Sequence, residues 1–355
     1  MKKIKSICFV AAGLMGGGTE RDMSGLANYY CRMGIKVSIL LLFKFDHFYS
    51  IDERIKIFEP DLDRSKFNKY LYSFRLIPYV RKTLKSLDPE VIFSFGEWFN
   101  PFVLLATMGL NYPVFVRDGM SPAIKFGFVL DTSKKILYRR AAGVLAQTNY
   151  AASTIRKRTN SKNVVVIPNP LNLMDYVVQP KKNHIVTLGR LSKEKGHKFL
   201  IRAFAKIDNQ DWKLHIIGDG PVRPELEDLT KNLGLTNKVI FHGHMKDFAS
   251  LLSESKIFVL PSLSEGFPNA LIEAMSVPLA CISSDCIAGP RDIIVNGENG
   301  ILVEPANIEA LTGSLNNLIK DDDLQKKLSE NAYKIREKLE YNRIADEFLE
   351  VLSNF

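Results

Sequence analysis

Two carboxylates stand eight residues apart in Ser264-Glu265-Gly266-Phe267-Pro268-Asn269-Ala270-Leu271-Ile272-Glu273. The run before them, Ile257-Phe258-Val259-Leu260-Pro261, reads as a short buried strand, with Gly266 and Pro268 as a turn and Ala270 to Met275 as the start of a helix. Glu265 is thus expected at a strand's C-terminal edge. In an open parallel sheet that edge binds ligands, and the first turn of the next helix offers N–H groups to anions. Glu273 is expected about two turns into that helix. Two carboxylates so placed suit a ligand gripped at both ends by its hydroxyls. A nucleotide sugar has that shape, with hexose, diphosphate and ribose in line.

Cations are predicted at a second strand edge. Gly189-Arg190-Leu191-Ser192-Lys193-Glu194-Lys195-Gly196 lies between a strand and a helix, so Arg190 and Lys195 can neutralise a diphosphate leaving group, one as a planar fork and the other as a point charge. The turn from Gly13 through Gly16, Gly17 and Gly18 to Arg21 lacks the Lys-Ser/Thr ending of a P-loop and a full Gly-x-Gly-x-x-Gly. Its glycines still permit close backbone approach by an anion. Asp118 ends another strand and is expected either to orient an acceptor, to hold a sugar hydroxyl, or to act only as a turn residue. Arg117 and Glu97 share that geometry as lesser candidates. Asp61-Leu62-Asp63 sits in a polar loop and is set aside as a metal pair. The histidines show no metal spacing, and no metal or cofactor is expected. His244, just past a strand, is placed near a nucleotide base.

These groups need a frame. At 355 residues the chain suits two domains. Strands at Ile4 to Ala11, Lys36 to Phe43, Val91 to Phe95, Val114 to Arg117, Gly143 to Gln147 and Val164 to Ile167 alternate with helical stretches. A second series follows at Ile185 to Gly189, Trp212 to Ile217, Val239 to His242, Ile257 to Pro261 and Leu279 to Ser283, with helices at 308–320 and 322–338. That alternation predicts α/β architecture with two parallel-sheet domains. The boundaries read as residues 1–170, a proline-bearing linker over 171–182, and residues 183–339, with the cleft between the domains as the expected active site.

Met1-Lys2-Lys3-Ile4-Lys5 has the charge of a signal start, but no cleavage pattern follows, and it is read as leading into a first strand of a cytoplasmic protein. No apolar run approaches the length of a membrane span. Cys8, Cys31, Cys281 and Cys286 form no Cys-x-x-Cys pair and read as buried thiols. Residues 1–180 carry 26 Lys and Arg against 14 Asp and Glu, a net of +12, whereas residues 181–355 carry 22 against 25, a net of −3. The first half therefore seeks an anionic partner. Basic and aromatic residues interleave over 66–82 and again over 125–140, a composition suited to a bilayer surface. No nucleic-acid motif accompanies the charge, so an anionic membrane ranks above nucleic acid.

Taken together, Gly16-Gly17-Gly18-Thr19-Glu20-Arg21, Gly189-Arg190 with Lys195-Gly196, Ile217-Gly218-Asp219-Gly220-Pro221 and Glu265-x7-Glu273 resemble the retaining glycosyltransferases of family 4, over nearly the whole chain. The resemblance implies the GT-B fold, two Rossmann-like domains facing across a cleft, with a last helix (340–355) crossing back to the first domain. It implies that Arg190 and Lys195 contact the donor diphosphate, Glu265 the sugar and Glu273 the ribose, while Gly266, Phe267, Pro268 and Asn269 offer backbone N–H groups. It implies transfer with retained configuration and without a metal, by same-face attack as the diphosphate leaves. UDP is expected before GDP. Many relatives have a histidine where this chain has Arg117-Asp118-Gly119; a branch acting on lipid-linked oligosaccharides has a carboxylate. The implied acceptor is a saccharide on a polyprenyl diphosphate, met by an enzyme peripheral to the inner face of the cell membrane. A GT-B epimerase or phosphorylase, and a silent nucleotide-sugar or membrane-binding module, are the alternatives.

Overall fold

The computed structural model describes residues 4–208, 210–245 and 247–354; the lysine-rich start Met1 to Lys3 therefore lies outside the described residues. The chain divides into two compact units, Met1–Pro170 with Tyr341–Phe355, and Leu171–Glu340.

The first unit alternates β1 (Ser6–Ala11), α1 (Gly18–Arg32), β2 (Lys36–Leu41), β3 (Lys56–Phe58), α2 (Lys69–Leu87) and β4 (Val91–Phe95). It continues through α3 (Asn100–Ala106), β5 (Val114–Asp118), α4 (Phe128–Leu137), β6 (Gly143–Ala146), α5 (Asn149–Thr159) and β7 (Val164–Val166). All strand pairs are parallel, in the order β3-β2-β1-β4-β5-β6-β7. β4, β5 and β6 are buried along their full length, as expected of a sheet covered by helices on both faces. Local signals set the helix ends. Asn68 caps α2 by accepting from the Tyr70 and Leu71 N–H groups, and Thr148 caps α5 through Ala151 N–H. One core gathers Val10, Leu40, Leu84, Ile92, Val116 and Val144 from sheet and helices.

The second unit runs β8 (Lys182–Leu188), α6 (His197–Lys206), β9 (Lys213–Ile217), α7 (Arg223–Asn232), β10 (Val239–Gly243) and α8 (Ala249–Glu254). Then follow β11 (Ser255–Leu260), α9 (Asn269–Met275), β12 (Ala280–Ser284), α10 (Pro290–Ile293), β13 (Ile301–Val303), α11 (Ile308–Lys320), α12 (Asp322–Tyr333) and α13 (Ile335–Lys338). The sheet order is β10-β9-β8-β11-β12-β13, again all parallel. Ile185, Leu214, Ile216, Val259, Ile282 and Leu315 anchor its core.

The final helix, α14 (Tyr341–Ser353), belongs to the first unit. Its buried Ile344, Ala345, Phe348 and Leu352 repeat at helical spacing. The buried Tyr30 hydroxyl donates to Ala345 O at 2.7 Å, and the rings of Phe93 and Phe348 lie 5.8 Å apart. Burying Phe348 alone contributes about 1.5–3 kcal/mol.

Several expectations shift. The region 322–338 breaks at Lys334 into α12 and α13 rather than forming one helix. Strands β3 and β13, three residues each at sheet edges, were too short to read from periodicity. Residues 171–181 have no regular structure, and β8 starts at Lys182. No helix among the described residues is long and apolar enough to cross a membrane.

Candidate active site

In both sheets the strand order reverses once, between β1 and β4 in the first and between β8 and β11 in the second. Connections leave such a point in opposite directions, so a crevice opens at the strands' C-terminal ends. In the second unit the predicted groups converge there. Gly189 and Arg190 follow β8; Ser262 to Glu265 follow β11.

Lys195 Nζ donates to Glu265 Oε1 at 2.7 Å and Oε2 at 2.8 Å. Ser262 Oγ donates to Oε1 at 2.6 Å, and Glu265 N–H reaches Ile287 O at 3.4 Å. The carboxylate is buried while the lysine keeps about a quarter of its side chain in contact with solvent. Gly196 makes this possible. Its φ is +66, and a Cβ there would collide with the Pro261 carbonyl oxygen, so only glycine lets the Lys195 turn pack onto the end of β11.

Beside the pair lies a cavity of about 570 Å³ lined by Gly189, Arg190, Gly218, Asp219, Gly220 and His244. Gly218, at φ +129, packs so tightly on the Gly189 carbonyl that a Cβ would overlap it. Lys195 Cδ lies 3.9 Å from where Gly189, one of the lining residues, would carry a Cβ. Asp219 holds the loop: it accepts from Gly220 N–H at 2.7 Å and pairs with Arg223 at 2.8 Å. The Arg190 side chain has no hydrogen-bond partner among the described residues and lines this cavity. His197, buried at the start of α6, has its imidazole pushed down to about 4, chiefly by burial and further by Lys195, so it is neutral at pH 7.

The turn after Glu265 differs from expectation in two ways. α9 begins at Asn269, so Glu273 sits one turn into the helix rather than two, and is buried there. Asn269 N–H is used by Phe267 O at 3.0 Å and Leu271 N–H by Pro268 O at 2.9 Å, which removes the Asn269 N–H from the expected anion donors. Gly266 and Phe267 N–H have no backbone partner among the described residues. Pro268 packs on Gly289: its ring occupies the space a Cβ there would take, so position 289 requires glycine.

Gly16, Gly17 and Gly18 belong to the first unit, where Gly17 caps α1 with its backbone and accepts the Tyr49 hydroxyl at 2.9 Å. Asp118 ends β5 as expected, but it is heavily committed. Oδ1 accepts from the Tyr138 hydroxyl at 2.6 Å and Asn100 Nδ2 at 3.1 Å, and Oδ2 pairs with Lys134 at 2.9 Å. Sequence spacing gave no sign of these three donors, which arrive from α3, α4 and the turn after α4. Arg117 is taken up by contacts within the first unit. It is buried, donates to Ile167 O at 2.6 Å and Asn169 Oδ1 at 2.8 Å, and lies 4.7 Å over the Phe348 ring.

Glu97 follows β4 and is buried, with Oε1 accepting the Met120 N–H. Burial, and then the negative Asp118, push its carboxyl up from 4.5 to about 7. The folded chain therefore holds this proton more tightly than the unfolded one, so the group's contribution to stability is lost as pH rises from about 4.5 through 7. Glu97→Gln is expected to be more stable than the parent at pH 8 by about 1–3 kcal/mol and to flatten that fall. Calorimetric melts of both proteins at pH 5 and pH 8 check this; parallel pH slopes would refute it.

Asp63 merely caps a turn through Ser65 N–H. All four cysteines are buried and unpaired with one another. His184, His215 and His242, scattered in sequence, meet across β8, β9 and β10, with His215 Nδ1 2.9 Å from His242 Nε2. No group of metal-binding side chains occurs among the described residues.

Two parallel-sheet, Rossmann-like units in one chain, each with a strand-order switch point, are the architecture of the GT-B class. Solved structures share this fold. The lipopolysaccharide outer core galactosyltransferase WaaB in its apo form superposes with a TM-score of 0.80 at 24% identity, covering 98% of both chains. Anabaena HepE in complex with UDP and glucose gives 0.81 at 19% identity, covering 99% of this chain and all of its own. Residues 16–174 match Glycosyltransferase Family 4, and residues 174–335 match Glycosyl transferases group 1. A Campylobacter jejuni protein is 27% identical over 373 residues, 98% of each chain; it is the GalNAc-alpha-(1->4)-GalNAc-alpha-(1->3)-diNAcBac-PP-undecaprenol alpha-1,4-N-acetyl-D-galactosaminyltransferase. The chain belongs to the family 4 glycosyltransferases. It is a glycosyltransferase homologous to bacterial enzymes of lipid-linked glycan assembly.

Proposed function

We propose that this enzyme moves a hexose or N-acetylhexosamine, with retention and without a metal, from a UDP-sugar to a saccharide carried on a polyprenyl diphosphate. The observation that carries the reading is the Lys195–Glu265 pair beside the cavity holding Arg190. In this reading Arg190 and Lys195 take the donor diphosphate, Glu265 orders Lys195 and meets the sugar, Glu273 holds the ribose, and His244 borders the base. The bond from the anomeric carbon to the diphosphate oxygen breaks, and the acceptor oxygen bonds that carbon from the same face. The acceptor proton passes to the departing phosphate oxygen. The developing charge on the diphosphate is what the two cations stabilise. UDP ranks before GDP, supported by the UDP-bound HepE structure of the same fold.

The test is a thermal-shift series with UDP- and GDP-sugars. A donor at about 100 times its Kd adds roughly 2.7 kcal/mol to the folded state. The reading expects a shift with a UDP-sugar that Arg190→Ala abolishes. No shift with any donor, or one indifferent to Arg190, would overturn it.

The acceptor's lipid places the enzyme peripherally on the inner face of the membrane, with the basic first unit toward anionic headgroups. Exposed Tyr70 and Phe74 on α2, and Phe128, Val129 and Ile136 on α4, supply apolar contact among the lysines and arginines. Sedimentation with anionic vesicles should show binding that Phe128→Asp with Ile136→Asp weakens by about tenfold, since two buried side chains are worth more than 1.4 kcal/mol. Equal binding of parent and variant would remove α4 from the contact.

A further inference from the structure

The first unit holds a cavity of about 320 Å³ at the ends of β4 and β5, walled by α4 and α5. Its lining is ordered by exposure. Glu97 and Asp118 are buried at its inner side, Ile124, Phe126 and Ile155 form apolar walls, and the exposed Lys125, Lys135 and Arg158 stand at its rim. Lys125 and Lys135 have no ion-pair partner among the described residues, and Arg158 makes one long contact, to Ile124 O at 3.4 Å. Beyond the rim, α4 turns Phe128, Val129 and Ile136 outward.

The two inner carboxylates differ in what they have left to give. Asp118 has three donors on its two oxygens, one of them the cationic Lys134, so its charge is balanced and its position set. Glu97 has one donor, the Met120 N–H on Oε1, and no cation of its own; Oε2 has no hydrogen-bond partner among the described residues. Glu97 lines the cavity, so this oxygen is open to a ligand hydroxyl that would supply its donor.

Resting on the glycosyltransferase reading above, we propose that this cavity seats the acceptor and that Glu97, rather than Asp118, is the carboxylate that takes the acceptor sugar's hydroxyl. The sequence of chemistries then matches a lipid-linked saccharide end to end. A sugar hydroxyl meets Glu97, a diphosphate meets Lys125, Lys135 and Arg158, and the isoprenoid chain leaves along the apolar surface of α4. Asp118 acts through Lys134, Tyr138 and Asn100 as a positioning residue that holds the cavity's inner wall.

The chain carries a reporter. Trp98 adjoins Glu97 in sequence and meets the Phe126 ring edge-on at 4.9 Å, while the other tryptophan, Trp212, is buried in the second unit's core. Tryptophan fluorescence of the intact protein is titrated with farnesyl diphosphate bearing N-acetylgalactosamine, with farnesyl diphosphate alone, and with inorganic diphosphate. The Trp212→Phe variant assigns the signal to Trp98. The parent is expected to show saturable binding of both farnesyl probes. At pH 8, where Glu97 is mostly ionised, Glu97→Gln should weaken the sugar-bearing probe about tenfold, the scale of one lost charged hydrogen bond, and leave farnesyl diphosphate within about twofold. Lys125→Ala with Lys135→Ala should weaken both by about tenfold or more. The proposal is overturned by a Glu97→Gln protein that binds the sugar-bearing probe like the parent, by inorganic diphosphate binding as well as the lipid probes, or by no saturable change. The melting shift with UDP-sugar is measured on the same proteins. It should be unchanged in all of them, which separates failure of this inference from failure of the donor reading.

Discussion

Lys195→Ala is expected to lower turnover by about 10²-fold or more, because the ammonium is one of two cations positioned to stabilise charge on a departing diphosphate. The structural reason is specific. Lys195 is held by two contacts to Glu265, at 2.7 and 2.8 Å, at the point where the chain turns from β8 toward α6, so its charge is placed before a ligand arrives. Removing it also leaves the buried Glu265 with Ser262 as its remaining side-chain donor. A modest loss of stability, about 1–3 kcal/mol, should accompany the loss of turnover. Initial rates with a UDP-sugar and a urea melt measure both effects. Turnover within about threefold of the parent would remove Lys195 from the reaction.

Glu265→Gln should cost nearly as much turnover, again about 10²-fold, by a different route. Glutamine keeps the size and can still accept from Ser262, so the fold should survive. What goes is the negative charge that orders Lys195 and that offers a sugar hydroxyl a strong acceptor. Because the two side chains act as a unit, Lys195→Ala with Glu265→Gln should cost little more than either change alone. Additive losses in that cycle, each with a folded protein by circular dichroism, would show that the pair seen here is not the working arrangement.

The parts of this site that were legible from sequence were those whose chemistry is local. Gly189-Arg190, Gly218-Asp219-Gly220 and Glu265 each follow a strand of apolar residues, so short-range spacing put each at a strand edge, and the set together, rather than any one of them, pointed to a ligand site. Alternating apolar runs and helical periods likewise declared two parallel-sheet domains. Glu273 was placed too far along by its spacing alone: it stands three residues after the expected start at Ala270 and four after the observed start at Asn269, which at 3.6 residues per turn is about one turn.

What the sequence could not contain was the partnership between distant segments. Lys195 and Glu265 are 70 residues apart and were assigned to different groups of a ligand, the diphosphate and the sugar, yet their side chains pair directly because β8 and β11 are neighbours in the sheet. Asp118 was the leading carboxylate on the acceptor side until Tyr138, Asn100 and Lys134 were found closing on it, while Glu97, ranked below it, kept an unmet oxygen. Residue types and periodicity thus determined the class of chemistry and the fold that carries it, since both depend on short-range spacing. Which charges are neutralised and which remain for a ligand was decided by strand order and helix packing, because pairing and burial depend on what else arrives at the same place.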